Sequence, residues 1–301
     1  MNELQMPTSI RSTIPGLTLL LLLSACATTG APATSNTVVN SDVRSLAQME
    51  ADVNDHANQT SPGILVVFDI DDTLLESTGF FAGDTWYNWQ RGRSIKHENG
   101  SSMTIADADR LSCLFGKLGA FYEFGRYKPT ETDAAAIVSR LQSRYAVMAL
   151  TSRAPGYRSG TERELKRANM DFSKSHLLTV PNALVYDLND GSSTRSVSYV
   201  NGIVMSTGLD KGIVLKDLLG RIKKSYDAIF FIDDGVHNVN DMDDAWKGEK
   251  TYVGIYHYTG VDKTISDSDI QQSRNANVAL DTFLQIAFPD RYSDFSADMC
   301  E

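Results

Sequence analysis

Three aspartates stand within four positions in VVFDIDDTLLES, Val66 to Ser77, directly after an apolar approach and just ahead of Thr73. Carboxylates held this close raise one another's pKa and resist ionising together, so Asp69, Asp71 and Asp72 are costly unless a cation balances them. A divalent ion removes the difficulty. Hard divalent ions take oxygen ligands and can keep several waters, so one or two carboxylates suffice to hold one. Other residues with chemical capacity end apolar runs in the same way: Thr151 and Arg153 in YAVMALTSR, Asp233 and Asp234 in YDAIFFIDD. Lys211 and Lys216 both lie in KGIVLKDLLGRIKKS, and Lys211 sits at its start after Gly208, where a helix N-terminus also favours anions. Taken singly, each has a plainer use. Acids at strand ends solvate loops or cap helices, and Asp72 reads as such a cap. A threonine can simply end a strand, and Arg153 can equally lie on the surface.

A frame is needed to bring these strand ends together. GILVVFDI, Gly63 to Ile70, is a near-continuous apolar run of strand length, the signature of a strand buried on both faces of a parallel sheet. Tyr145–Arg153 is a second run, preceded by the helix-like ETDAAAIVSRLQSR, and Tyr226–Asp234 a third, preceded by the helix-like segment that carries Lys211. KTYVGIYHY (250–258) is a fourth and HLLTV (176–180) a weaker fifth. Strands alternating with helices predict an α/β, doubly wound, mostly parallel sheet with its site at the strand C-termini. A helix over 41–60 precedes it, with Ser41 as N-cap and Val43, Leu46, Met49 and Val53 at helical spacing. Two segments break the alternation. Residues 77–128 hold the aromatic GFFAGDTWYNWQRGR and a helix-like ADADRLSCLFGKLGAFYEF, in which Trp86, Tyr87 and Trp89 read as core rather than as a stacking platform. Residues 183–208 carry Asn-Asp-Gly and Asn-Gly turn signals between alternating runs and read as β-hairpins. His237 and His257 have no assigned task.

The chain of 301 residues is 42% hydrophobic and 22% charged, an ordinary globular composition. Its formal charge of −10 and the lack of a long basic run argue against nucleic-acid binding. Ahead of the folded region, an apolar run from Leu17 to Leu23 is too short to span a bilayer and fits a signal-peptide core. It ends in Leu23-Ser24-Ala25-Cys26, which resembles a bacterial lipobox and implies a lipidated Cys26 closing a signal over 1–26. A plain secretory signal with an incidental cysteine is the alternative. Ala27 in place of Asp implies, by the same resemblance, the outer membrane, with the protein facing the periplasm. Residues 27–40 then read as a flexible tether. Cys113 and Cys300 remain in a compartment that permits disulfides, and a bond between them or two separate thiols both fit.

Asp69-Ile70-Asp71-Asp72-Thr73 matches the D-x-D-x-T signature of the haloacid dehalogenase-like (HAD) superfamily. Thr151, Lys211 and Asp233-Asp234 resemble its other three motifs, in order. Within the superfamily the chain resembles exported, lipoprotein-type acid phosphatases, and DTWYNWQ with NGIVMSTGLDKG looks most like the DUF2608-type branch. The resemblance implies a HAD-like Rossmannoid core over 61–288, with cap insertions at about 77–128 and 183–208 and a tail over 289–301. It also implies Mg2+-dependent hydrolysis of a small phosphate ester. Asp69 would be the nucleophile, Asp71 the general acid and base, and Thr151 and Lys211 the phosphoryl-binding residues, with Arg153 as a further substrate contact. The metal would sit on Asp69, the Asp71 backbone carbonyl and Asp234, with Asp233 the less certain neighbour. Asn238 stands where many members place another acid. The same residues would support phosphotransfer to an alcohol, and a binding protein of this fold without turnover is the reading from another class.

Overall fold

The run Ile64–Phe68 has no solvent-facing side, because both sheet faces around it are covered: every one of its side chains is buried. The computed structural model describes residues 37–39, 42–60, 63–178, 183–297 and 299–300. The signal segment, Cys26 and the tether up to residue 36 lie outside the described residues, as does the expected cap Ser41. In chain order the elements begin with β1 (Thr37–Val39), α1 (Leu46–Thr60), β2 (Ile64–Phe68), β3 (Leu75–Ser77), α2 (Asp84–Gln90), β4 (Ile95–Lys96) and β5 (Ser102–Met103). They continue with α3 (Leu114–Phe124), β6 (Tyr127–Pro129), α4 (Ala134–Gln142), β7 (Ala146–Thr151), α5 (Arg158–Arg167), β8 (Leu184–Asn189), β9 (Thr194–Val200) and β10 (Ile203–Met205). The last are α6 (Lys211–Arg221), β11 (Ala228–Asp233), α7 (Val236–Trp246), β12 (Tyr252–His257), α8 (Asp267–Ala287) and α9 (Pro289–Ser296).

The central sheet has the order β1-β12-β11-β2-β7-β10-β9-β8. It is parallel from β1 to β10, and β9 and β8 add antiparallel. The period of two along a strand sorts its residues into two cores. Ile64, Val66 and Phe68 of β2 pack with α1, α4 and α5, while Leu65 and Val67 pack with α6 and α7. Burying these five side chains contributes roughly 10 kcal/mol, at about 1.5–3 kcal/mol each, which helps offset the polar cluster at the strand's end. From β2 the chain builds outward through β7 and later returns through β11 on the other side. The crevice beside β2 is therefore the switch point where ligands bind in open α/β sheets.

Several expectations are corrected. Residues 184–205 do form hairpins, but they extend the sheet edge instead of standing over the site, because the fully apolar Ile203–Met205 pairs with β7 in parallel. The weak strand read at HLLTV is not seen: His176–Leu178 is irregular, and Thr179 and Val180 lie outside the described residues. Thr37–Val39, read as tether, is an edge strand paired with β12. The helix read from Ser41 begins at Leu46, and Val43 instead bridges to Tyr258.

The first insertion leaves and returns through the antiparallel pair β3–β6 and builds its own core from Trp86, Trp89, Leu111, Leu118 and Phe121. That core is completed by Ile265 and Ile270 from the C-terminal region. Trp86 Nε1 donates to Ser273 Oγ at 2.7 Å, and Arg274 forks onto Asp109 at 2.6 and 2.9 Å. A disulfide joins Cys113 to Cys300. The segment over 289–301 is thus more than a tail: α9 buries Phe295 against the insertion near Gly116.

Candidate functional site

Asp69 is the first residue past β2, and its N–H still follows the ladder, donating to Ile232 O at 2.9 Å. That bond fixes the carboxylate beside β11, where Asp233 ends the strand. Lys211 is the first residue of α6, a helix whose start is set by Asp210, which accepts from Ile213 N at 2.9 Å. The ammonium lies between the two acids. It donates to Asp233 Oδ2 at 2.6 Å and to Asp69 Oδ1. Lys216, the competing lysine, turns away to Ala245 O at 2.8 Å and to Glu249. Asp233 also accepts from Gly235 N and from Asn238 Nδ2, both at 2.8 Å, so Asn238 supports the acid.

Burial pushes the Asp69 carboxyl well above the usual carboxylate range; Lys211 opposes that rise, while Asp233 and Asp71 add to it. Burial works against the Lys211 charge as well, yet Asp233 and Asp69 outweigh it and hold Lys211 above its ordinary value.

Asp71 sits in the turn that follows, where Leu74 N and Leu75 N both reach back to Ile70 O. Its two oxygens accept a fork from Arg153, Nε at 2.9 Å and Nη2 at 2.7 Å. Arg153 is 4% exposed, so the surface reading of it fails. Its guanidinium lies 4.1 Å from the ring centre of Tyr122 and 4.9 Å from that of Tyr127, and it donates to Thr161 Oγ1 at 2.9 Å. Thr151 is fully buried at the end of β7, and its Oγ1 accepts from Arg153 N at 3.2 Å. Thr73 ties the turn to the neighbouring strand, its Oγ1 accepting from Asp234 N at 3.0 Å.

Asp72 is not a cap. It takes a left-handed conformation (φ 52°), and its carboxylate faces Lys263 at 3.2 Å. The same ammonium meets Asp84 at 3.3 Å and Asp234 in closer contact. Burial, with Asp84 close by, pushes Asp72 up to about 7, against the pull of Lys263. Burial likewise raises Asp84 and Asp234 above the usual range. Neither Asp84 nor Lys263 was reached by reasoning from motifs. One signal was available: the loop after a fourth parallel strand must also end at the site edge, and Lys263 is the lysine in YTGVDKTIS.

Among the described residues, two groups of carboxylates bring one oxygen each within 4.8 Å of one another: Asp69, Asp233 and Asp234, and Asp72, Asp84 and Asp234. All the donors are hard oxygens. By ion pairing, six carboxylates face Lys211, Arg153 and Lys263, so ionising all six together would leave negative charge uncompensated in a largely buried place. A hard divalent cation fits both the donor set and the charge. His237 has its pKa lowered by burial, and His257 Nε2 lies 3.1 Å from Asp234 O. Trp86 and Trp89 are buried in the insertion, as core residues.

Fold and site together define an α/β protein with a buried carboxylate–lysine centre at the C-terminal edge of a mostly parallel sheet. The chain belongs to the DUF2608 family, described as a protein of unknown function, whose sequence model matches residues 47–287 and so spans every residue of this site. No curated protein matches the sequence.

Proposed function

We propose that this protein is a HAD-like phosphomonoester hydrolase that works through a phosphorylated Asp69 and uses Mg2+. The observation that carries the reading is the buried bridge of Lys211 between Asp69 and Asp233, at the switch point of the sheet. An ammonium there neutralises a nucleophilic carboxylate and, next to it, a dianionic phosphoryl group. Asp69, Asp234 and the Asp71 carbonyl would hold Mg2+, with Asp233 as the neighbouring acid. When bound, Mg2+ neutralises phosphoryl charge and lets the nearby carboxylates ionise together.

The protein's own residues account for the rest. An Asp69 oxygen attacks phosphorus, the bond to the ester oxygen breaks, and that oxygen takes a proton from Asp71. Asp71 then removes a proton from water, whose oxygen attacks phosphorus and displaces Asp69, releasing inorganic phosphate. In the pair with Arg153 both Asp71 oxygens are acceptors, so Asp71 must leave that fork to donate. An incoming phosphate offers Arg153 a replacement anion. Thr151 accepts from the Arg153 N–H, which leaves its hydroxyl proton for a phosphoryl oxygen. The resemblance of the N-terminus to a lipobox supports export and attachment to the envelope through Cys26.

The test is a screen of phosphomonoesters with the purified protein, with and without Mg2+, beside Asp69→Asn. Mg2+-dependent phosphate release that falls to background in the variant is expected. Release that survives Asp69→Asn, or none from any ester, would sink the mechanism.

A further inference from the structure

Lys263 belongs to none of the motifs above, yet it gathers carboxylates from three distant parts of the chain. Asp72 comes from the turn after β2, at 3.2 Å from its ammonium; Asp84 opens α2 in the first insertion, at 3.3 Å; Asp234 follows β11. An ammonium offers three donors and no acceptor, and here it has three carboxylates to serve. The oxygens of those acids lie within 4.8 Å of one another and share Asp234 with the inner group formed with Asp69 and Asp233. Two oxygen cages meeting on one carboxylate is how a site holds two metal ions.

We propose that Lys263 is a tethered counter-cation that takes the outer cage, so that the site accepts one divalent ion and not two. This rests on the metal reading above. Lys263 is a positioning residue in this account: it holds the Asp234 carboxylate and fastens the insertion to the core through Asp84. Asp84 is itself fixed by Asn88 Nδ2 at 2.7 Å. The tether has a direct physical consequence. Because the lysine is part of the chain, its charge is always present at the outer acids, and it repels a second ion while weakening the hold on the first.

Counting bound Mn2+, used in place of Mg2+, by electron paramagnetic resonance of the full chain tests the idea without any turnover. Wild type should bind one tight ion. Lys263→Met should bind two, with the first held roughly tenfold tighter or more once the neighbouring charge is gone. Lys263→Arg, which keeps the charge, should stay at one, and Lys263→Met with Asp84→Asn should return to one. Lys263→Gln is read in parallel should the Met variant fold poorly. No ion on wild type overturns the metal reading itself. One ion on both wild type and the neutral variants, or two on wild type, overturns the role of Lys263 alone.

Discussion

Replacing Lys211 by Met isolates the charge at the centre of the site, because the two side chains have similar volume and the substitution opens no large cavity. Lys211 is 1% exposed and serves two carboxylates, Asp69 and Asp233, that are also buried. Removing one partner of a buried ion pair costs about 3–5 kcal/mol, since it strands an uncompensated charge. In a chain of this size that corresponds to a fall in melting temperature of roughly 10 °C. Differential scanning calorimetry in EDTA reads it free of divalent ions.

The pH dependence has a definite sign. Burial already raises Asp69, so it binds a proton in the folded state that it lacks when unfolded, and the folded state gains stability as pH falls. Without Lys211 that rise is larger, and the variant gains more on acidification than wild type does. Lys211 itself, raised above its ordinary value, contributes stability that is lost only as pH climbs above the normal lysine range, outside the window used. Asp72, pushed up to about 7, gives both proteins the same background gain toward acid. The deficit of Lys211→Met should therefore be largest at pH 8 and shrink toward pH 5. A variant melting within about 2 °C of wild type at pH 8, set against the roughly 10 °C expected, or a deficit that widens in acid, refutes the reasoning.

Two further outcomes concern the frame around the site. Cys113→Ser with Cys300→Ser removes the link between the insertion and the C-terminal segment, and should cost about 2–4 kcal/mol, read as a lower urea midpoint in non-reducing buffer. Gly202→Ala places a Cβ 2.2 Å from Phe172 O at a residue with φ of +76°, so the turn between β9 and β10 must move; a loss of at least ~1–3 kcal/mol is expected in the same assay.

Much of the sheet was legible because a strand buried on both faces writes its burial directly into composition. β2, β7, β11 and β12 are largely apolar runs, and the polar residues that end β2, β7 and β11 were placed at the site by their strand-end positions taken together with the set of motifs they resemble. Lys211 was legible for a related reason: a helix start is a local event, here fixed by Asp210 one residue earlier. Partner choice over long separations was not legible. The hairpins of 184–205 announce their turns, but nothing local says that β10 will join β7. The helix α8 completes the core of an insertion more than a hundred residues away, through Ile270 and Ser273. Lys263 meets Asp72 and Asp84 across similar distances, from a loop with no periodicity to betray it.

The aspartate cluster shows what that loss of information meant. A single divalent ion looked sufficient to make DIDDT tolerable, with Asp72 set aside as a cap. Instead each of the three acids has its own cation: Lys211 for Asp69, Arg153 for Asp71 and Lys263 for Asp72. The cations come from a helix start, a strand end and a loop after the last parallel strand, so the turn after β2 is held from three sides before any ligand arrives. Two of them are shared, Lys211 with Asp233 and Lys263 with Asp84 and Asp234. Sharing leaves the site short of positive charge whenever all six acids are ionised, and Asp234 belongs to both carboxylate groups. A hard cation placed there would complete a balance that the folded chain leaves unfinished.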